Sequence, residues 1–437
     1  MGPTGDDPGR TLPNGSADAV EEAVEAGASV RPAEGRGGRP LIDSLTGVRG
    51  LAAIWVTLAH YVIFVHFPPV LSDLATEARA AVSMFFALSG LVLTLNYRRW
   101  FTNDTARWRD YARARVARMV PVYLVGIVVA TAATLYALRS QRAGEMVWLR
   151  GDIPSAPAAF GVWLLHTFAL QAWVPLYSVR DLFNPPDWSV ATEAFMYACF
   201  PLLMVAFARW IRTARAAICV AAVLLAAQAI FTTVIIAYAF NRWGLREHYQ
   251  EARLVHYQLP LARLPDFVTG CVLGLLLDRF DFRPVKTRAG RNAIAAAAII
   301  WIALFIQLDN IIGAERGTQT YVLLVNLKMH VAFMPAVAAL LFVLSLGPTF
   351  LHPLLEHRWV QAIGLASYSI YIIHFPLAQP LLLQSMASDS RPPIWQPAAL
   401  WVATIALGLA IHHVIEVPAR RAILDRRARR SSLAPAS

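Results

Sequence analysis

Three cysteines in 437 residues leave little to cross-link this chain or to hold a metal. Cys199, Cys219 and Cys271 all fall inside apolar runs, where a small buried hydrophobe is their ordinary role, so neither a disulfide nor a metal site is expected. No P-loop, dinucleotide-binding glycine fingerprint, Gly-x-Ser-x-Gly elbow or zinc-ligand spacing occurs, so the chemistries those motifs carry find no footing. Charged residues make up only 15%, and of 39 basic residues only Lys286 and Lys328 are lysines. That arginine- and alanine-heavy usage resembles GC-rich bacterial coding. Residues 1–40, rich in Gly, Pro, Ala and acidic residues, contain no apolar run and are expected to form a disordered cytosolic tail. They also lack the charged start, short apolar stretch and cleavage site of a signal peptide, which makes the first span an uncleaved anchor. Neither a fixed-period repeat nor inverted halves are visible. A single membrane domain over 41–420 is therefore expected, followed by a basic cytosolic tail over 421–437, with no room for a folded soluble domain.

What the chain has in quantity is apolar length: 57% hydrophobic residues and a mean hydropathy of +0.48. Runs long enough to cross a bilayer lie near 45–66, 80–97, 116–138, 188–208, 216–240, 258–278, 293–312, 326–347, 359–383 and 397–419. The expected fold class is all-α, a polytopic membrane protein with about ten transmembrane helices. A shorter stretch, Trp163 to Trp173, holds His166 and Gln171 and is read as a re-entrant or interfacial helix. Charge decides its status. If it does not cross, the basic loops Arg98 to Arg118, Arg209 to Arg215, Arg279 to Arg291 and the tail Arg420 to Arg430 share one side, the cytosol, with both termini. The +11 net charge is thereby explained by topology, and nucleic acid is not an expected partner.

The polar exceptions fall into stripes. Arg49 and His60 lie eleven residues apart in an otherwise apolar helix. That interval returns to within about 20° of the same face and rises roughly 16 Å, about half a bilayer core. An imidazole at that depth is by default a functional candidate, here a base, the alternative being a core histidine satisfied by a backbone carbonyl or by a polar neighbour on another helix; Asp43 is too far down the helix to orient it. Any partner must come from another helix. Arg115 and Arg118 share a face at the cytosolic start of the third span, and their guanidinium forks suit phosphate, either of a cofactor or of lipid headgroups. Ser189, Glu193 and Tyr197 recur every four residues on the fourth span, with Glu193 either functional or a water-exposed helix-start carboxylate. Arg263 and Asp266 in the sixth span are placed to neutralise each other. Ser367, Tyr371 and His374 form another stripe in the ninth. His352, His357, His412 and His413 read as interfacial.

Seven segments in order then resemble the acyltransferase family 3 of integral membrane proteins: Asp43 to Ala53 with Arg49 and His60; Phe85 to Leu93 with Ser89 and Gly90; Arg115 to Pro121; Trp188 and Ser189 with Glu193, Phe195 and Tyr197; Arg263 with Phe267 and Gly270; Ser367 to Pro376; and Glu416 to Pro418. The resemblance implies transfer of an acyl group, often acetyl, from cytosolic acyl-CoA to a hydroxyl of a carbohydrate or of a macrolide-type natural product, at the bacterial inner membrane. It implies His60 as catalytic base or acyl relay, with Glu193 a second catalytic candidate. Arg49, Arg115 and Arg118, joined by Ser89, become ligands of acyl-CoA. Trp188, Tyr197, Arg263, Tyr371 and His374 become candidate substrate contacts. The outer segment 139–187, with Trp148, Trp163, Trp173 and Tyr177, offers either acceptor-stacking rings or an interfacial aromatic belt. A transporter of an acyl group or sugar conjugate is the competing reading of the same buried charges.

Overall fold

The computed structural model describes residues 43–62, 77–102, 107–139, 155–243, 254–279, 285, 287–308, 319–328, 332–387 and 392–431. The expected tail 1–40, Trp148 and the last six positions lie outside them. Every described element is helical, and each of the ten apolar segments forms one helix or a pair. In order they are α1 (Asp43–Tyr61), α2 (Arg79–Tyr97), α3 (Trp108–Arg139), the short α4 (Ala156–Thr167), α5 (Trp188–Trp210), α6 (Ala214–Trp243), α7 (Pro260–Arg279), α8 (Arg288–Ile306), α9 (Gln319–Leu327), α10 (Phe333–Leu346), α11 (Arg358–Leu365), α12 (Ser367–Ala387), α13 (Trp395–Ile411) and α14 (Val417–Ser431).

Among the described residues seven helices are long and apolar enough to cross a membrane, or eight if α11 and α12, bent by 71°, count as one span. The other two segments fall short of that measure for visible reasons. Nineteen residues of α1 include Asp43, Arg49 and His60, while α9 and α10 are only 9 and 14 residues long. The basic tail expected from 421 onward is not a separate piece. Helix α14 runs through that boundary and is tied to α3, where the Arg113 guanidinium donates to the Ile423 carbonyl.

Two helix crossings are close enough to exclude any side chain at the contact. A Cβ on Gly90 of α2 would lie 2.2 Å from the Phe267 carbonyl oxygen, and one on Gly270 of α7 would lie 1.8 Å from that of Ala87. Gly47 of α1 and Gly364 of α11 meet in the same way, against Leu355 and Thr46 at 2.2 and 2.1 Å. Lipid gives apolar helices no hydrophobic reason to associate, so backbone approach at small residues carries that work.

At the end opposite α14's basic residues, α4, only 12 residues long, and the turns after it pack on α3. Trp163 Nε1 donates to Thr131 Oγ1 at 3.1 Å, and Tyr123 donates to the His166 carbonyl at 2.5 Å. The His166 ring is buried with Nδ1 3.0 Å from Asp187 Oδ2 and Nε2 2.9 Å from the Val179 carbonyl, so both nitrogens donate and the ring is an imidazolium. Burial opposes that charge, but the Asp187 carboxylate outweighs it and His166 is held above the ordinary 6.5. The pair's stabilisation is fully present below that value and lost as pH rises through the raised pKa. The thermal midpoint is accordingly expected to fall over that rise, and His166→Gln to flatten the slope; an unchanged slope would remove His166 as its cause. Of the outer aromatics, Trp173 meets Phe195 edge-on at 5.0 Å and Tyr177 lies under the Arg180 guanidinium, so both already have partners within the fold.

Candidate functional site

Helices α1, α2, α3, α5, α12 and α14 enclose a cavity of about 140 Å³. Its floor is cationic: Arg49 from α1, Arg115 and Arg118 from α3, and Arg420 from α14. One wall is the apolar face of α2, where Val82, Phe85, Ser89, Val92 and Asn96 recur at helical spacing. Facing it, Ser189, Glu193 and Tyr197 come from α5, and Ser367, Tyr368 and Tyr371 from α12.

The carboxylates of this cavity are engaged and two guanidiniums are not. Glu193 Oε1 accepts from Ser89 Oγ at 2.8 Å and from the Tyr197 hydroxyl at 2.5 Å. Glu416 Oε2 accepts from Ser369 Oγ at 2.8 Å and lies 2.9 Å from His412 Nδ1, an arrangement held by a π-helical turn over His412–Glu416. Such turns inside α-helices often mark functional positions. Arg115 donates to the Tyr97 hydroxyl at 2.5 Å and lies over the Tyr97 and Tyr197 rings at 4.7 and 5.6 Å. Arg49 and Arg118, both half-buried, have no hydrogen bond or ion pair to a carboxylate among the described residues. Two forked donors that share a low-dielectric pocket with Glu193 and Glu416 but bond directly to neither suit an external anion such as a phosphate.

His60 and His374 do not line this cavity. They form a pair one helical turn beyond its tip, since Tyr371 lines the tip and its ring centroid is 5.3 Å from that of His374. His374 Nε2 is 3.2 Å from His60 Nδ1, and the two rings are 4.9 Å apart. The hydrogen-bond partners determine the tautomers. His374 Nδ1 faces the Tyr371 carbonyl at 2.5 Å, which only accepts, so that nitrogen carries the proton and Nε2 is the acceptor. His60 Nδ1 faces the Val56 carbonyl at 2.9 Å and His374 Nε2, both acceptors, and is likewise N–H. The basic lone pair of His60 is therefore on Nε2. One of these two partners, His374, comes from another helix and the other, the Val56 carbonyl, from α1 itself.

Of the residues singled out in the sequence, the fold gathers Arg49, Ser89, Arg115, Arg118, Glu193, Tyr197 and Tyr371 in the cavity. Glu193 thus faces the same space as the arginines and takes two hydrogen bonds at Oε1, unlike a water-exposed helix-start carboxylate. Besides His60 and His374, two residues lie outside it. Trp188 is buried edge-on against Phe86, at 6.2 Å between ring centroids, and against Tyr257. Arg263 is fully buried in an ion pair with Asp266 at 2.6 Å and donates to Ser83 Oγ, so it neutralises a charge inside α7 and does not reach the cavity. His412, Glu416 and Arg420 are the lining residues that sequence reading left without a role. Their signal was a carboxylate inside an apolar span, four residues after a histidine and two before Pro418.

A family model described as an acyltransferase domain matches residues 42–413. The chain is 24% identical over 397 residues to the peptidoglycan O-acetyltransferase OatA of Listeria monocytogenes, covering 88% of this chain but only 56% of that protein. It is 26% identical over 401 residues to the acyltransferase MdmB of Streptomyces mycarofaciens, covering 88% of this chain and 93% of that one. The chain therefore spans about half the length of the first relative and nearly all of the second. No solved structure matches it. The family match runs from the start of α1 into the π-helical turn and takes in the histidine pair and every helix of the cavity except α14: the chain belongs to acyltransferase family 3.

Proposed function

We propose that this protein transfers an acyl group, acetyl foremost, from cytosolic acyl-CoA to a hydroxyl on an acceptor, with His60 as base or acyl relay. The observation that carries this reading is the sequence of parts along one path: two guanidiniums with no direct bond to a carboxylate, a wall of α2 ending at Phe85 and Tyr371, then an imidazole whose Nε2 is basic. In this reading the basic end of the bundle faces the cytosol of a bacterial inner membrane. Arg49 and Arg118 hold phosphates of the donor, and Ser89 keeps Glu193 turned toward Tyr197. In direct transfer His60 Nε2 takes the hydroxyl proton, the oxygen bonds to the thioester carbonyl carbon, and the carbon–sulfur bond breaks; the imidazolium then protonates the departing thiolate. In the relay, Nε2 bonds to the thioester carbonyl carbon as the carbon–sulfur bond breaks and the thiolate leaves; the acceptor oxygen then bonds to that carbon, the Nε2–carbon bond breaks, and the hydroxyl proton passes by way of the freed imidazole to the thiolate.

The acceptor is a carbohydrate or a macrolide-type natural product. Similarity to a peptidoglycan enzyme supports the first, and the near-complete match to a Streptomyces acyltransferase supports the second. Purified protein given labelled acetyl-CoA is expected to release or transfer the label. Arg49→Ala and Arg118→Ala are each expected to raise KM for acetyl-CoA about tenfold or more, the scale of one lost charge-assisted hydrogen bond. Substrate flux into proteoliposomes without any acyl donor, together with unchanged donor affinity in both variants, would instead favour transport.

A further inference from the structure

The cavity tip and the histidine pair are adjacent but separated, and one side chain stands between them. Tyr371 lines the tip, and the next residue on the same face of α12 is His374. The Tyr371 ring packs edge-on against Phe85, with centroids 6.2 Å apart, across the cavity from α12. Its hydroxyl is held from the far side: it accepts from Ser189 Oγ at 2.8 Å and donates to the Pro186 carbonyl at 3.1 Å. Pro186 belongs to the short turn before α5, and that turn is tied independently to α12 by Asn184 Nδ2 donating to the Ile372 carbonyl at 3.1 Å. A buried tyrosine held at its tip by two neutral hydrogen bonds, with the cavity on one face and a basic imidazole beyond the other, has the parts of a gate. It has a hinge at Cα, a seal in the ring and a latch at the hydroxyl.

We propose that Tyr371 is a gate between the cytosolic cavity and the His60–His374 pair, latched shut by Ser189 and the Pro186 carbonyl. The proposal rests on the donor entering by the cavity, as argued above. It adds that His60 is closed to the cavity in the resting state, and that an acyl group reaches Nε2 only when the latch is released. Neutral hydrogen bonds of this kind are weak enough to exchange yet strong enough to bias a two-state side chain by about tenfold. A closed gate also keeps cavity water away from a His60 that carries or awaits an acyl group.

The test does not depend on the acyl-transfer reading. In a protein with Cys199 and Cys219 replaced by alanine, His60→Cys places a thiol at the pair, and the buried Cys271 is controlled by the same protein with His60 retained. A charged, membrane-impermeant methanethiosulfonate is added from the basic end in oriented vesicles. With Tyr371 and Ser189 intact the thiol is expected to react slowly. Ser189→Ala and Tyr371→Phe, which remove the latch but keep the packing volume, are expected to raise the rate about tenfold, and Tyr371→Ala further. Monodisperse elution of each variant separates opening from unfolding, and should Tyr371→Ala fail to fold, the two conservative variants decide the matter. Equal rates in the latched and unlatched proteins, whether all fast or all slow, would overturn the gate. Failure of acetyl transfer with a normal labelling shift would instead count against the donor reading alone.

Discussion

Replacing His60 by alanine is expected to abolish acyl transfer, by about 10² to 10⁴-fold if the ring is a general base and by more if it carries the acyl group. The protein should still fold, because His60 is only half-buried and neither the Val56 carbonyl on its own helix nor His374 is stranded when its bond to His60 is lost. The carbonyl remains in the α1 backbone ladder, and His374 keeps its bond to the Tyr371 carbonyl. The loss should fall on kcat and leave donor KM within a few-fold, since the floor arginines are roughly three helical turns away along α1. His374→Ala is expected to give a smaller loss, because His60 keeps Nε2 but is no longer held in one orientation. Full activity in His60→Ala, measured as labelled acetyl transferred to acceptor or to water, would sink the assignment.

The largest structural effect is expected at Gly270. A valine there would drive its Cβ into the Ala87 carbonyl oxygen, 1.8 Å from the ideal position, and backbone cannot turn aside as a flexible side chain can. Helices α2 and α7 must then separate by more than an ångström along their closest line of approach, where Gly90 makes the reciprocal contact at 2.2 Å. Overpacking a core costs about 1–3 kcal/mol when side chains can yield; against backbone the cost should exceed that range. Gly270→Val is therefore expected to lower the thermal midpoint sharply or to prevent recovery of monodisperse protein. Any folded remainder should bind donor poorly, because Ser89, next to Gly90, would move away from Glu193. Gly161, where a Cβ would meet nothing within 4 Å, supplies the control: Gly161→Ala should be silent. A Gly270→Val protein with an ordinary melt would show that the two helices are not held by this contact.

Much of the architecture is readable without coordinates, because a bilayer imposes length and polarity on each segment separately. Ten apolar runs became ten helical segments, and the short stretch between Pro157 and Pro175 became the short α4 and its following turn. The stripes were equally legible: Ser189, Glu193 and Tyr197 line one cavity, and Ser367 and Tyr371 line it from α12, because 3.6 residues per turn place residues four apart on one face wherever the helix lies. The Arg263–Asp266 pair belongs to the same class, three residues apart on one helix.

Contacts between helices are another matter. Nothing in the spacing says that His60 meets His374, 314 positions later, or that Ser89 meets Glu193. Periodicity gives the face of a helix but not the neighbour it turns toward. That choice is made by backbone approach at Gly90 and Gly270 and at Gly47 and Gly364, by the 71° bend between α11 and α12, and by the π-helical turn that carries Glu416 into the cavity. The sequence by itself determined an all-helical membrane protein of acyltransferase family 3 and the polar face of each helix, since these follow from hydropathy, helical period and local motif. Only the tertiary structure decided that Arg49 and Arg118 share a cavity with Glu193 and Glu416 yet bond directly to neither, that Arg263 and Trp188 stay outside it, and that Tyr371 lines it beside His374. Those are relations between helices, and they depend on how closely the backbones pack.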